Sequence, residues 1–258
     1  MPTSLPRLLL AIAVVALLAR AAWVAWHRRD LALAVWGRIR PRHVAGSLLL
    51  LVAVIATSIA ATSLVPWLGR GLGDLFATTG NAVFAPVDVA AEATSAGRGD
   101  GPDVAFLAIV TLFLAVLASL LPWFAFVEEE VFRAGAETWG IPTRVVAALV
   151  FGAAHLVMLV PIAAAIGISV AGFVYGELYR RGVAGQGEVA PAALARAFRP
   201  TRRSIRSVGR IATDPVSAAT HVRRQVDGIA TSTVWHATFN TTVVSLVWLT
   251  FAVDALAG

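Results

Sequence analysis

Long apolar runs, each about as long as a lipid bilayer is thick, constrain this 258-residue chain more than any other feature of its sequence. A membrane-spanning helix needs ~20 consecutive apolar residues. Of all residues, 58% are hydrophobic and 14% are charged, and the mean hydropathy is +0.78, a balance unlike that of soluble globular domains. We therefore predict an all-α, polytopic transmembrane helix bundle with about six spans and additional interfacial helices.

The predicted spans cover approximately residues 5–26, 44–65, 104–127, 143–160, 161–181 and 228–253. The first apolar run exceeds the length of a signal-peptide core, so we interpret it as a retained span. Residues 72–93 are apolar but interrupted by two aspartates and a proline, which favours an interfacial or re-entrant segment over a full span. We divide the chain into residues 1–103, with two spans and an external loop, and a core of 104–258 with an inserted basic loop at 181–227.

Arginines orient these spans. All 21 basic residues are Arg, the net charge is +6, and there is no Cys, which excludes disulfides and thiolate chemistry in this chain. Five arginines lie between residues 28 and 42 and ten between 180 and 224, whereas residues 67–103 hold five acids and two arginines. By the positive-inside rule, both Arg-rich loops are cytoplasmic and both termini external in a multi-pass cell-membrane protein. Because the arginines lie between apolar runs, we expect them to bind anionic lipid and not nucleic acid.

Three consecutive carboxylates, Glu128, Glu129 and Glu130, follow directly on the third apolar run. Ionisable residues at membrane depth cost several kcal/mol and are by default candidates for function. Arg133 lies four residues after Glu129 and shares its helix face, so the two can pair. Glu128 is rotated by about 100° and can face elsewhere. One glutamate can thus be held while the other reacts.

Two later spans carry histidines whose expected depth in the membrane is the same as that of the glutamates. At 1.5 Å per residue, His155 lies about 16 Å along its helix from Arg144, and His236 about 12 Å from Gly228. Both histidines are therefore expected in the inner half of the membrane, as the glutamates are. Asn240 lies one turn after His236 on the same face, which makes the two a pair of donors for an oxyanion.

The three motifs together, Glu128-Glu129 with Arg133, Phe151 with His155, and His236 with Asn240, resemble the CPBP intramembrane protease family. That family includes type II CAAX prenyl endopeptidases and the Abi proteins. The resemblance implies that Glu128 activates water with help from His155, that Glu129 and Arg133 support it, and that His236 and Asn240 form the oxyanion site. The long basic stretch at 181–227 departs from the family pattern, as does Glu130, which stands where an apolar residue is common.

The three motifs are compatible with more than one use of metal and more than one substrate. A metal-free, glutamate-activated water is preferred because the chain lacks an HExxH helix, while a zinc ion on Glu128, His155 and His236 is the alternative. The expected substrate is a membrane-attached peptide or protein, prenylated or otherwise anchored. Two other classes of function use the same residues: a proton-coupled carrier or channel, and a non-catalytic scaffold that binds lipid through its basic loop.

Overall fold

The computed structural model describes residues 5–71, 81–95 and 104–257, and these form helices and connections without a β-strand. Ten α-helices are seen in this part of the chain. The long ones are α1 Leu5–Trp26, α3 Pro41–Leu64, α5 Val104–Arg133, α6 Ile141–Ala154, α7 Ile162–Val183 and α10 Pro215–Ala257. The short ones are α2 Arg29–Trp36, α4 Ala85–Ser95, α8 Ala192–Ala197 and α9 Arg202–Ile211, with 3-10 helices at Pro66–Gly69, Ala82–Phe84 and His155–Met158.

Six helical segments are long and apolar enough to cross a membrane, which confirms the predicted all-α bundle of about six spans. The segment α6 reaches that length only together with the 3-10 helix that follows it. The first span, α1, leaves most of its apolar side chains on the outside of the bundle, as a lipid-facing helix does. These features indicate a membrane protein.

Two helices extend beyond the predicted spans. Helix α5 continues through all three glutamates and ends at Arg133, because Gly135 adopts a left-handed φ of 82° that stops the helix. Helix α10 begins at Pro215, where Asp214 accepts hydrogen bonds from the backbone N–H of Val216 and Ser217. The polar first turns of α10 were not predicted because the apolar run starts only at residue 228.

The connection between α6 and α7 differs from the predicted span of residues 143–160. Helix α6 ends at Ala154 and is followed by the 3-10 helix His155–Met158, whose C-cap Leu159 has a φ of 62°. Pro161 has no N–H to continue the helix and disfavours helical backbone in the residue before it. His155 lies beyond the end of α6, in the turn before α7.

The long helix α10 packs against α3, α5 and α7, and α6 packs against α7. Because α3 belongs to the N-terminal part of the chain, both predicted parts contribute to one bundle. Close approach depends on small residues: a Cβ on Gly228 of α10 would lie 2.8 Å from the Tyr179 carbonyl oxygen of α7. The packing brings the ends of α5 and α7 beside the middle of α10.

The predicted basic loop at 181–227 holds α8, α9 and the first turns of α10. Helix α8 packs against α2, and Arg196 forms an exposed ion pair with Asp30 of that helix. Of the predicted interfacial or re-entrant segment 72–93, residues 72–80 lie outside the described residues. The remainder belongs mainly to α4, whose 11 residues are too few to cross a bilayer.

Candidate functional site

The last turns of α5 place two adjacent glutamates in different surroundings. Glu129 faces the bundle and its side chain is fully buried, whereas the side chain of Glu128 is 33% exposed. The difference follows from the 100° rotation between neighbouring helical residues. One carboxylate is therefore enclosed by protein and the other borders open space.

Glu129 has a cationic partner on its own helix and a histidine partner on α10. Its Oε2 lies 3.6 Å from Arg133 Nε, an ion pair without hydrogen-bond geometry. Its Oε1 accepts a hydrogen bond of 2.9 Å from Nδ1 of His236. A buried carboxylate is tolerated only when such partners compensate its lost hydration.

His236 lies between the two glutamates. While Nδ1 contacts Glu129, Nε2 lies 3.7 Å from Oε2 of Glu128, a buried oxygen that has no hydrogen-bond partner in the described part of the chain. The imidazole stacks on the ring of Tyr175 from α7, with centroids 4.5 Å apart and planes inclined by 19°. Three helices thus hold the histidine in one orientation.

Arg133 ties α5 to the α6–α7 pair. Its Nη2 donates to the carbonyl oxygen of Gly172 over 3.1 Å, and its guanidinium carbon lies 4.4 Å from the ring centroid of Phe151. Gly172 has no side chain, and a Cβ there would lie 2.7 Å from Cδ1 of Phe151. The position of Arg133 therefore depends on a close approach of α6 and α7.

The other two predicted site residues lie beside this cluster without a polar contact to it in the described part of the chain. His155 is half-buried, and its Nδ1 lies 2.8 Å from the carbonyl oxygen of Phe151. The Phe151 ring contacts both histidines, with centroid distances of 4.9 Å to His155 and 5.7 Å to His236. Asn240 is half-buried, one turn beyond His236 on α10.

Glu130, the third acid, turns away from its neighbours. Its Oε1 accepts a hydrogen bond from the backbone N–H of Arg199 in the basic loop. Tyr175 and the carbonyl oxygen of Gly172 also belong to the site, although neither was predicted from the sequence. The spacing of Tyr175 and Tyr179 at i and i+4 indicates that they share one face of α7, but nothing in the sequence shows that this face meets His236.

A second buried polar cluster lies just after α5, around Glu137. Oε1 of Glu137 lies 2.8 Å from Nε2 of His221 and accepts hydrogen bonds from Ser207 and Gln225, while Oε2 accepts from Tyr179. Burial raises the pKa of Glu137, but the hydrogen bonds from Ser207, Tyr179 and Gln225 outweigh burial and hold the pKa below its ordinary value. This cluster joins α9 and α10 to the end of α5.

No group of three or more His, Cys, Asp or Glu side chains within residues 5–71, 81–95 and 104–257 is arranged to hold a metal ion. Glu128, His155 and His236, the ligands of the alternative zinc site, do not form such a group, and Nδ1 of His236 is engaged by Glu129. The residues as arranged do not fit a zinc site, so zinc enters no step proposed below.

Comparisons of the chain with protein-family models, with curated proteins and with solved structures find no match. The resemblance to the CPBP family stays a hypothesis that rests on the three motifs.

Proposed function

We propose that the chain is an intramembrane endopeptidase that hydrolyses a peptide bond of a membrane-attached substrate, with Glu128 as the base that activates water. One observation carries this proposal: His236 of α10 lies between two adjacent glutamates of α5, one fully buried and one partly exposed. In many active sites with two carboxylates in contrasting environments, one carboxylate positions other groups while the other reacts.

The proposed chemistry follows from the contacts of His236. A separation of 3.7 Å between Nε2 and Glu128 Oε2 is too long for a direct hydrogen bond, and we place the attacking water at the exposed part of the Glu128 carboxylate. Glu128 takes a proton from that water, and the water oxygen attacks the carbonyl carbon. Glu128 then gives the proton to the amide nitrogen as the carbon–nitrogen bond breaks.

The remaining residues position these groups and stabilise charge. Glu129 orients His236 through Nδ1, which leaves Nε2 as the atom that faces the developing oxyanion, and Asn240 is the second residue proposed to contact it. His155, packed on Phe151 at the edge of the cluster, is proposed to assist Glu128 once substrate is bound. Arg133 keeps the charge of Glu129 compensated.

We assign Glu128, Glu129 and His236 to the cytoplasmic half of the membrane, since the Arg-rich segment 180–224 joins the end of α7 to the start of α10. His155 precedes α7, toward the opposite end of that helix. The proposed substrates are membrane-anchored peptides. A prenylated CAAX-type peptide is the option suggested by the family resemblance.

The test uses the purified full-length protein and a prenylated peptide reporter, with and without a chelator. We expect Glu128→Gln, His155→Ala and His236→Ala each to lower the cleavage rate by about 100-fold or more, the size of a lost acid–base group. Glu130→Gln is the matched control, because Glu130 faces the basic loop, and it should retain activity within a few-fold. Full activity in all three site variants would overturn the mechanism, and inhibition by the chelator would contradict its metal-free form.

A proton-coupled carrier or channel is the second candidate, because Glu128, His236 and Glu129 form a short chain of titratable groups between two helices. Protein reconstituted in liposomes would then show pH-dependent flux that Glu128→Gln abolishes, and no cleavage of the reporter.

A non-catalytic scaffold that binds through its basic loop would show neither flux nor cleavage. Deleting residues 196–224 would remove the function of a scaffold, whereas a peptidase would still cleave a small peptide.

A further inference from the structure

Helix α9 differs from most surface helices, because the side chains that it buries are small and polar and not apolar. Ser204 and Ser207 are buried, where they donate to Gln225 and Glu137, respectively. Its four arginines, Arg202, Arg203, Arg206 and Arg210, are exposed. At 100° per residue these arginines lie within an arc of about 100° on the face away from Ser204. The helix is therefore anchored by hydroxyl groups and displays a continuous stripe of positive charge.

The arginine stripe borders a groove of about 470 Å³. The opposite wall consists of the end of α5 and the connection to α6, including Val131 and Trp139. The guanidinium carbon of Arg203 lies 4.8 Å from the ring centroid of Trp139, and Arg203 Nη1 donates to the carbonyl oxygen of Phe132 over 3.2 Å. A groove of this volume is large enough for a small-molecule group.

The positive charge in the groove is not neutralised by the protein. In the described part of the chain, no carboxylate lies within 4.0 Å of a guanidinium nitrogen of the four arginines. The nearby carboxylate of Glu137 is engaged by Ser207, Gln225, Tyr179 and His221. Partial burial and the positive charge of Arg133 together lower the pKa of Arg203 from its ordinary value. Each of these features favours an anion that accepts hydrogen bonds from several arginines.

Exposed apolar side chains lie on α9 to either side of the arginine stripe, outside the groove, and one lines the opposite wall of the groove. Ile205 and Ile211 of α9 are 60% and 47% exposed, and Val131 on the opposite wall is 55% exposed. Arginines, a tryptophan and exposed aliphatic side chains together are typical of a surface at the headgroup level of a membrane. Free phosphate would use the arginines but would leave the aliphatic side chains in water.

We propose that this groove is a binding site for a phosphate group, supplied by an anionic phospholipid whose headgroup contacts Arg206 and Arg210. The shared chemistry is a phosphate oxygen held by guanidinium groups, and its possible sources are a lipid headgroup and soluble phosphate. This inference concerns binding alone and stands independently of any peptidase activity.

The test is native mass spectrometry of the full-length protein in detergent, titrated with dioleoyl phosphatidylglycerol or with dioleoyl phosphatidylcholine. The double variant Arg206→Gln/Arg210→Gln removes two charges from the groove. Arg223→Gln/Arg224→Gln removes two charges from exposed positions of α10 that do not line the groove. A thermal unfolding measurement confirms that each variant folds, and Arg210→Gln alone replaces the groove variant if the double variant does not.

We expect phosphatidylglycerol to bind about tenfold or more weakly to the groove variant and with unchanged affinity to the α10 variant, while phosphatidylcholine binds weakly throughout. Inorganic phosphate should displace phosphatidylglycerol only at far higher concentration than the lipid. Displacement at an equal concentration would identify soluble phosphate as the ligand and overturn the lipid assignment. Equal phosphatidylglycerol affinity in all three proteins would overturn the site itself.

Discussion

Glu129 shows why a single buried charge needs more than one partner. Its side chain has no exposed surface, and its two oxygens contact Arg133 on one side and His236 on the other. Removal of one member of such a group leaves an uncompensated charge in the bundle, which is usually costlier than removal of a whole pair. The cluster therefore contributes to stability as a unit.

A double-mutant cycle tests this interdependence. We expect Glu129→Gln to destabilise the protein by about 3 kcal/mol, because Arg133 then keeps a buried charge with no carboxylate beside it. The double variant Glu129→Gln/Arg133→Met should lose less stability than the sum of the two single variants. Chemical denaturation of the purified protein measures all three, and additive losses would show that the two side chains act independently.

At the scale of helices, the site depends on how closely α6 and α7 approach. Gly172 and Gly176 lie on neighbouring turns of α7, but their surroundings differ. A Cβ on Gly172 would lie 2.7 Å from the Phe151 ring, whereas a Cβ on Gly176 would have no heavy atom within 4 Å. The two glycines thus offer a matched comparison of close and open positions.

We predict that Gly172→Ala destabilises the protein by about 1 to 3 kcal/mol, since Phe151 must move and it contacts both His236 and Arg133. Gly176→Ala should be neutral or stabilising, because alanine favours a helix interior and meets no obstruction. Thermal unfolding in detergent measures the difference. Equal effects of the two substitutions would contradict the proposed role of close helix packing.

The attachment of α9 depends on the ionised form of Glu137. The folded-state pKa of Glu137 is lowered by its hydrogen bonds, so its contribution to stability is present above the ordinary pKa of about 4.3. That contribution is lost as the pH falls through the lower folded-state value. The hydrogen-bonded cluster around Glu137 is therefore expected to lose stability in acid and not in base.

Glu137→Gln should destabilise the protein by roughly 1 to 3 kcal/mol at pH 7, because it removes a charged acceptor from three hydrogen bonds. The difference in unfolding temperature between the wild type and the variant should shrink as the pH falls below about 4. The same titration with Glu130→Gln provides a control for general acid effects. A difference that does not change with pH would show that the charge of Glu137 is not what holds α9.

At the scale of the whole molecule, the described part of the chain holds six candidate spans, and when each crosses the membrane once, the connections on either side of α7 lie on opposite sides. The absence of Cys from the sequence permits a direct test by single-cysteine labelling. Ala184 after α7 and Val157 between α6 and α7 are exposed and lie at opposite ends of α7.

We predict that a membrane-impermeant maleimide added to intact cells labels Val157→Cys and leaves Ala184→Cys unlabelled until the cells are permeabilised. This result follows from the arginine distribution, which assigns the segment after α7 to the cytoplasm. Labelling of Ala184→Cys in intact cells would show that the orientation of the spans is opposite to the predicted one. The site would then face outward, without any change in its geometry.

The sequence by itself determined the fold class, because runs of ~20 apolar residues have few alternatives to membrane-spanning helices. Spacing also placed Glu129 and Arg133 on one face of α5, since that relation is local to a helix. The start of α10 at Pro215 was missed, although the preceding Asp214 is a usual residue at a helix start.

Only the tertiary structure decided which histidine meets the glutamates. His155 and His236 are equivalent in sequence, as single histidines on apolar segments, but the packing of α10 against α5 and α7 brings His236 to both glutamates and stacks it on Tyr175. His155 lies beyond the end of α6, in the 3-10 helix that precedes α7. Contacts between helices depend on their crossing and rotation, which arise from packing and not from spacing within any one helix.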